Sequence, residues 1–303
     1  MAHKLLPSSG PIRETAMSVH ITQYAVPTPT LPPADSTNTY VIRLGRRAIL
    51  VDAGSKDREL LDTLVRHIDA LGVTEIVALV ATHYHRDHTQ GLPYLQSVFQ
   101  CPILVHELDL ASAIREMGLP DGAPGVQPLP FDMQLSEASQ EPSEPALKVL
   151  FEHLPGHTHG HVHIYVPADE AVLVGDHLSG MGTVWIGPPD GHMEQYYRTL
   201  EALMSKRAVA AGPGHGAPIP DAAAAAREML LRRLQREEQI AACIAEQPLT
   251  SEELVAQIYG SALNPGAFFV AKRTVQAHLQ RMLEQGLIGR RFTTANRFVY
   301  NKR

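Results

Sequence analysis

Residues 76–91 read IVALVATHYHRDHTQG. The first six are an unbroken aliphatic run, the pattern of a strand buried on both faces. The next stretch carries His83, His85, Asp87 and His88 within six positions. Loops just beyond strand ends are where α/β layers carry their sites. Four ligand-type side chains so close together have little structural use and point to metal binding. One short segment cannot surround an ion by itself, so further ligands are expected elsewhere in the chain.

The same strand signal recurs on both sides of this segment. TYVIRL (39–44) and AILVDAG (48–54) lie upstream; PILVH (102–106), ALKVLFEH (146–153), HVHIYV (161–166) and AVLVGD (171–176) lie downstream. The last two flank Pro-Ala-Asp-Glu, a hairpin-turn composition. Between strands, DRELLDTLVRHIDALG (57–72) places Leu60, Leu61, Leu64, Ile68 and Leu71 on one stripe and stops at Gly72. Strands interleaved with helices predict a layered α/β domain over 18–220, preceded by a flexible N-terminal extension at 1–17.

After Pro220 the pattern changes. Residues 221–245 are rich in Ala, Leu and Arg and read as one long helix. Thr250 and Glu253 form a capping box ahead of SEELVAQIYG. A second helix follows at about 266–285 and stops at Gly286. LIGRRF (287–292), a turn at Thr293–Asn296 and RFVYNK (297–302) suit a short hairpin. Helices followed by a terminal hairpin describe a winged helix, so 221–303 reads as a linker helix plus a winged-helix domain.

Composition bounds the function. The chain has 303 residues, 44% hydrophobic and 19% charged, which is ordinary for a globular protein. Cys101 and Cys243 have no CxxC spacing, so a disulfide framework and a cysteine zinc finger are both unsupported. No run of about 18 apolar residues suggests a membrane span. The opening MAHKLLPSSGPIRETAM lacks an apolar core for a secretory signal, so the expected compartment is the cytoplasm. Residues 1–226 hold 14 basic and 25 acidic residues; residues 227–303 hold 12 and 7. A basic tail on an acidic body suits either an anionic partner or a solvated helical surface.

Three further ligand candidates sit at strand ends or in Gly-Pro turns: His157 in PGHT, Asp176 in VGDH and His215 in GPGHG. His157 opens an alternating series, PGHTHGHVH (155–163), that also holds His159, His161 and His163. On an extended chain all four would share one face. Seven imidazole and carboxylate groups are too many for one tetrahedral zinc but fit two adjacent ions with a bridging carboxylate.

The set THYHRDH, PGHT, GDH and PGHG, with the early VDAG (51–54), resembles the metallo-β-lactamase superfamily across residues 20–217. The resemblance implies an α/β fold, a four-layer αββα sandwich. It implies that His83, His85 and His157 bind one zinc and that Asp87, His88 and His215 bind the second. Asp176 bridges both, and Asp52 orients a ligand histidine. Zinc is the expected metal, with iron or manganese as alternatives. His161 is then a neighbour of the site, while His159 is a loop residue and His163 a packed strand residue.

STNTYVI (36–42), GMGTVWI (180–186), GHMEQYYRTLEAL (191–203) and LQREEQI (234–240) narrow the resemblance. They are similar to the subfamily that adds a C-terminal winged helix, which includes β-lactamase-like protein 2 and polyketide-releasing thioesterases. Asp176 stands where one well-known group of true β-lactamases has cysteine, which argues against β-lactam hydrolysis. Only 39 positions separate Asp176 from His215, too few for the inserted domain of nucleic-acid-processing relatives.

The implied chemistry is hydrolysis by a metal-bridging hydroxide, with Asp87 and Asp176 as the catalytic carboxylates. A small acyl substrate (thioester, ester or lactone) wants a partly apolar pocket. The loop TPTLPPADS (28–36), Met181 and Trp185 could wall one. A single-stranded RNA substrate wants basic groups: Arg86, Lys272, Arg273, Arg290 and Arg291 are the candidates. A metal-bound regulator is the third reading. The acidic body favours the acyl substrate. No membrane partner is expected, and oligomeric state is not legible.

Overall fold

The computed structural model describes residues 11–136, 146–206, 209–260, 263–293 and 297–303. The runs read above as strands fall into two sheets. The first contains β1 (Arg13–Ala16), β2 (Ile21–Pro27), β3 (Ser36–Leu44), β4 (Arg47–Val51), β5 (Glu75–Val80), β6 (Ile103–Val105) and β7 (Val126–Pro128), in that order. Strands β1 to β4 pair antiparallel and β4 to β7 parallel. Parallel neighbours need crossovers, and helices supply them. They are α1 (Arg58–Ala70), α2 (Arg86–Thr89), α3 (Leu92–Phe99) and α4 (Glu107–Met117).

The second sheet contains β8 (Asp132–Leu135), β9 (Leu147–His153), β10 (Val162–Val166), β11 (Ala171–Gly175) and β12 (Ala210–Pro213). Its only parallel pair among the described residues is β11 with β12, and α5 (Met193–Ser205) crosses between them.

Side-chain alternation builds the layers. On β3, Tyr40 and Ile42 point between the sheets while Val41 points outward; on β4, Ile49 and Val51 point in while Ala48 and Leu50 point out. The inner set meets Val149, Phe151, Ile164, Val166 and Leu173 of the second sheet. The outer set is covered by Leu61, Leu64 and Ile68 of α1, Leu92 and Leu95 of α3, and Ala113 and Met117 of α4. Each such side chain contributes about 2 kcal/mol by leaving water. Val172 and Val174 leave the second sheet on its far face and meet α5 and the next helix. The layers are therefore α, β, β, α.

That next helix, α6 (Ala222–Glu246), starts at the Asp221 N-cap. Ala222, Ala226 and Met229 belong to the core under the second sheet, whereas Ile240 and Ile244 belong to a separate C-terminal core. The latter is completed by α7 (Ser251–Tyr259), α8 (Pro265–Glu284) and the hairpin β13 (Ile288–Phe292) with β14 (Phe298–Lys302). The expected Thr250–Glu253 capping box is present. This is a winged helix.

Some expectations shift. Arg13–Ala16 pairs with β2, so the flexible extension expected at 1–17 does not reach that far; residues 1–10 lie outside the described residues, as do 294–296 of the expected terminal turn. Strand β2 carried neither an alternation nor an unbroken apolar run, because all of ITQYAVP is buried although Thr22 and Gln23 are polar. Its polar Gln23 is accommodated by Asn38 and the Tyr40 hydroxyl at 3.1 Å each. No helix among the described residues is long and apolar enough to cross a membrane.

A buried polar network joins the two cores. Glu237 on α6 accepts from the Tyr197 hydroxyl at 2.9 Å, from Arg281 at 2.6 Å and from His278 Nδ1 at 3.2 Å. Burial pushes the His278 imidazole down to about 4, against the Glu237 carboxylate that favours its cation. The unfolded imidazole titrates near 6.5. The unfolded chain thus takes up this proton first, and stability falls as pH drops from 6.5 toward 4, by roughly 3 kcal/mol for this group. His278→Leu is expected to flatten that part of a profile of melting temperature against pH. An unchanged acid slope counts against the assignment.

Candidate metal centre

The VDAG turn follows β4. Asp52 sits there in the left-handed region at φ 58, buried and held by three bonds. Its carboxylate accepts from the Thr82 main-chain N–H and hydroxyl at 2.8 Å each, and from His88 Nδ1 at 2.8 Å. A non-glycine residue in that region costs roughly 1–3 kcal/mol, so these contacts must enforce it. Gly54 is required by space: a Cβ there would lie 1.7 Å from the Asp87 carbonyl oxygen. The turn is thereby clamped onto the one-turn helix α2.

The seven expected ligands come together. His83 and His85 precede α2, and Asp87 and His88 lie on it. His157 follows β9, Asp176 follows β11 and His215 follows β12. His85 Nδ1 lies 3.0 Å from His83 Nε2 and 2.9 Å from His157 Nε2. His215 Nε2 lies 3.6 Å from Asp87 and 3.5 Å from Asp176. Asp176 also lies 3.5 Å from His88 Nε2 and 3.7 Å from His157 Nε2. Three groups of these residues could each hold an ion: His83, His85 and His157; His83, His88 and Asp176; and Asp87, His88 and His215.

The hydrogen bonds on the outer side of each ring decide which nitrogen faces inward. His157 Nδ1 donates to the Trp185 carbonyl at 2.7 Å, and His215 Nδ1 to the Ser36 carbonyl at 2.8 Å. His88 Nδ1 donates to Asp52. The Thr82 hydroxyl gives its proton to Asp52, so it accepts from His83 Nδ1 at 3.0 Å. In its neutral form each of these rings therefore presents an Nε2 lone pair to the interior. His88 Nε2 is buried without a hydrogen-bond partner. Converging ring nitrogens beside two carboxylates suit a cation, and the outer bonds are the arrangement that metal-binding histidines use. The donor set fits a metal.

Electrostatics favour the neutral ring at His83 and His85 and the cation at His88 and His215, where Asp176 lies close. Burial and neighbouring imidazoles hold His83 well below the ordinary histidine range, and burial pushes His85 down to about 3. Burial disfavours the His88 cation, but Asp176 and Asp52 more than offset it and raise the group. Burial also works against ionised Asp176, yet His215 and His88 hold it well below the carboxylate range. His83, His88 and His157 are buried, while His85, Asp87, Asp176 and His215 are partly open. The open side is bordered by the expected loop: the Thr30 hydroxyl donates to Asp87, and Pro33 approaches Gly182. The Trp185 ring lies 6.3 Å from His85. His161 is buried and stacks on His83 at 5.1 Å.

Three neighbours carried no usable sequence signal. Asp109 on α4 is buried; its carboxylate accepts from the Tyr84 N–H at 3.2 Å, the Gly160 N–H at 2.7 Å and the Thr158 hydroxyl at 2.7 Å. It ties the His83–His88 segment to the loop that follows His157. A single carboxylate in an amphipathic helix looks like surface polarity until its burial is known. His177 and Tyr196 stand behind His157, with the Tyr196 hydroxyl donating to the His177 carbonyl at 2.9 Å. The alternation in PGHTHGHVH resolves into separate roles: His163 packs in β10 against His177, and His159 is exposed.

A four-layer αββα sandwich with a His/Asp cluster able to hold metal at its strand ends defines a metallohydrolase. The chain belongs to the metallo-beta-lactamase superfamily, whose profile matches residues 32–215; that of the beta-lactamase associated winged helix domain matches 250–292. An atrochrysone carboxyl ACP thioesterase of Aspergillus novofumigatus is 27% identical over 265 residues, covering 84% of this chain and 75% of that protein. A beta-lactamase-like protein 2 homolog of Caenorhabditis elegans is 24% identical, covering 83% and 80%. A beta-lactamase domain protein of Burkholderia ambifaria shares the fold at a TM-score of 0.79 and 16% identity, covering 99% of this chain and 96% of its own.

Asp109→Ala would strand two main-chain N–H groups and a hydroxyl. The expected loss is about 3 kcal/mol in a urea titration, with Asp109→Asn milder because it keeps one acceptor oxygen. A midpoint unchanged in Asp109→Ala would show that the two ligand loops do not depend on this tie.

Proposed function

We propose that the chain is a dinuclear zinc hydrolase of acyl substrates, with a thioester as the leading class. In this reading His83, His85 and His157 would hold one ion, Asp87, His88 and His215 would hold the second, and Asp176 would serve both. The observation that carries it is the set of ring nitrogens of His88, His157 and His215 that face the Asp176 carboxylate. Two bound divalent ions supply an activated water and a Lewis acid for the carbonyl oxygen.

The protein's own groups do the rest. Asp87 takes the proton of the attacking water; its other contact, the Thr30 hydroxyl, keeps the carboxylate turned toward the cluster. Asp52 keeps His88 in the tautomer with a free Nε2. The water oxygen forms the new bond to the acyl carbon, the carbon–sulfur bond breaks, and the proton ends on the departing thiolate. The loop at 28–36 and Trp185 form a partly apolar wall for the acyl chain.

The thioesterase relatives support this substrate class. So does the state of the basic residues that an RNA substrate would need. Arg86 pairs with Glu116 at 3.1 Å, Lys272 pairs with Glu252, and Arg290 lies over the Phe298 ring at 4.4 Å. Arg86, Lys272 and Arg290 are thus engaged within the protein.

Metal analysis of the purified protein is expected to give about two ions per chain. Asp176→Ala is expected to lose at least one ion and nearly all activity. Chelator should abolish hydrolysis of acyl thioesters, and added zinc should restore it. One ion in the intact protein would contradict the dinuclear reading. Cleavage of single-stranded RNA without turnover of any thioester, ester or lactone would overturn the substrate class.

A further inference from the structure

Beside the proposed ligands lies a second histidine group, His161, His163 and His177. All three rings are fully buried, and their nitrogens are close enough together to hold an ion. Hydrogen-bond chemistry gives them a different task. The main-chain N–H of His157 donates to His177 Nε2 at 3.3 Å, and that of Asp176 to His161 Nε2 at 3.2 Å. A ring nitrogen that accepts carries no proton, so in each neutral ring the proton is on Nδ1. His177 Nδ1 then donates to His163 Nε2 at 2.8 Å. A protonated nitrogen cannot ligate, so two of the three rings have no lone pair left for an ion there. The group also contains no carboxylate to offset a buried cation.

We propose that His161 and His177 are positioning residues for the metal centre. Each captures the main-chain N–H of one ligand-bearing residue, Asp176 and His157, and so sets where that ligand's side chain emerges. His163 locks the tautomer of His177. The backbone is shaped for this contact: Gly175 has φ +47, and a Cβ there would lie 2.7 Å from His161 Nε2. The inference rests on the metal reading above.

The test uses the full chain carrying His177→Leu, His177→Gln, His161→Leu or His161→Gln. The glutamine amide oxygen can accept where Nε2 accepts; leucine cannot. Metal content, zinc affinity by chelator competition and the visible spectrum of the cobalt-loaded protein are read for each, with melting temperature as a check on folding. Wild type is expected to hold two ions. The leucine variants should bind zinc about 10–100-fold more weakly with an altered cobalt spectrum, and the glutamine variants should recover most of that loss. Three ions in wild type, with one lost in every variant, would overturn the proposal. So would leucine variants with wild-type affinity. If the leucine variants do not fold, the glutamine variants decide: near-wild-type affinity supports positioning, and a loss on the scale expected for leucine overturns it. A wild type that takes up no metal fails the reading of the centre itself, whereas two ions with indifferent variants fails only the positioning role.

Discussion

Five imidazoles and two carboxylates face one another where the strand ends of two sheets meet. Bringing them out of water costs free energy that their mutual contacts alone do not return. What holds them is a set of bonds on their outer sides: Asp52, Thr82, and the carbonyls of Ser36 and Trp185. Those anchors come from segments far apart in the chain. The sandwich can therefore be read as a device that brings β3, β4, β5, β9, β11 and β12 to one edge and keeps them there.

The same constraint explains where the backbone is unusual. Asp52 sits at positive φ because three donors converge on its carboxylate. Gly54 is a glycine because α2 passes over it almost in contact. Asp109 answers a related need on the opposite side, closing the gap between the segment after β5 and the loop after β9. Tight clamps of this kind are needed because a ligand displaced by a fraction of an ångström no longer aims at the same point.

The winged helix belongs to this support. Helix α6 shares residues with two cores, so it cannot swing independently of the sandwich. Its Arg233 donates to the Val184 carbonyl at 2.6 Å, next to Trp185, whose own carbonyl holds His157. Its Glu237 gathers donors from α5 and α8. Several of the tail's positive charges are thus engaged in binding the two parts together.

Much of this was legible in the sequence. A strand ending in His-x-His-x-Asp-His is a local pattern, because four ligand-type side chains in six positions have no packing use. The later strands from β9 to β11, helix α1, and the helices and hairpin of the winged helix were likewise readable, because their apolar period and caps are local. Strand β2 was not, since the buried polar residues Thr22 and Gln23 interrupt its apolar run. Asp109 was not, since a carboxylate on a helix is ordinary until a neighbouring loop covers it. The ring tautomers were least legible of all. Which nitrogen of His157, His177 or His161 carries the proton depends on a carbonyl or N–H brought in from a distant part of the chain. The chemical inventory and the family follow from local patterns in the chain; which ring nitrogens face each other is settled only when distant segments pack, because hydrogen-bond direction is a property of assembled backbones.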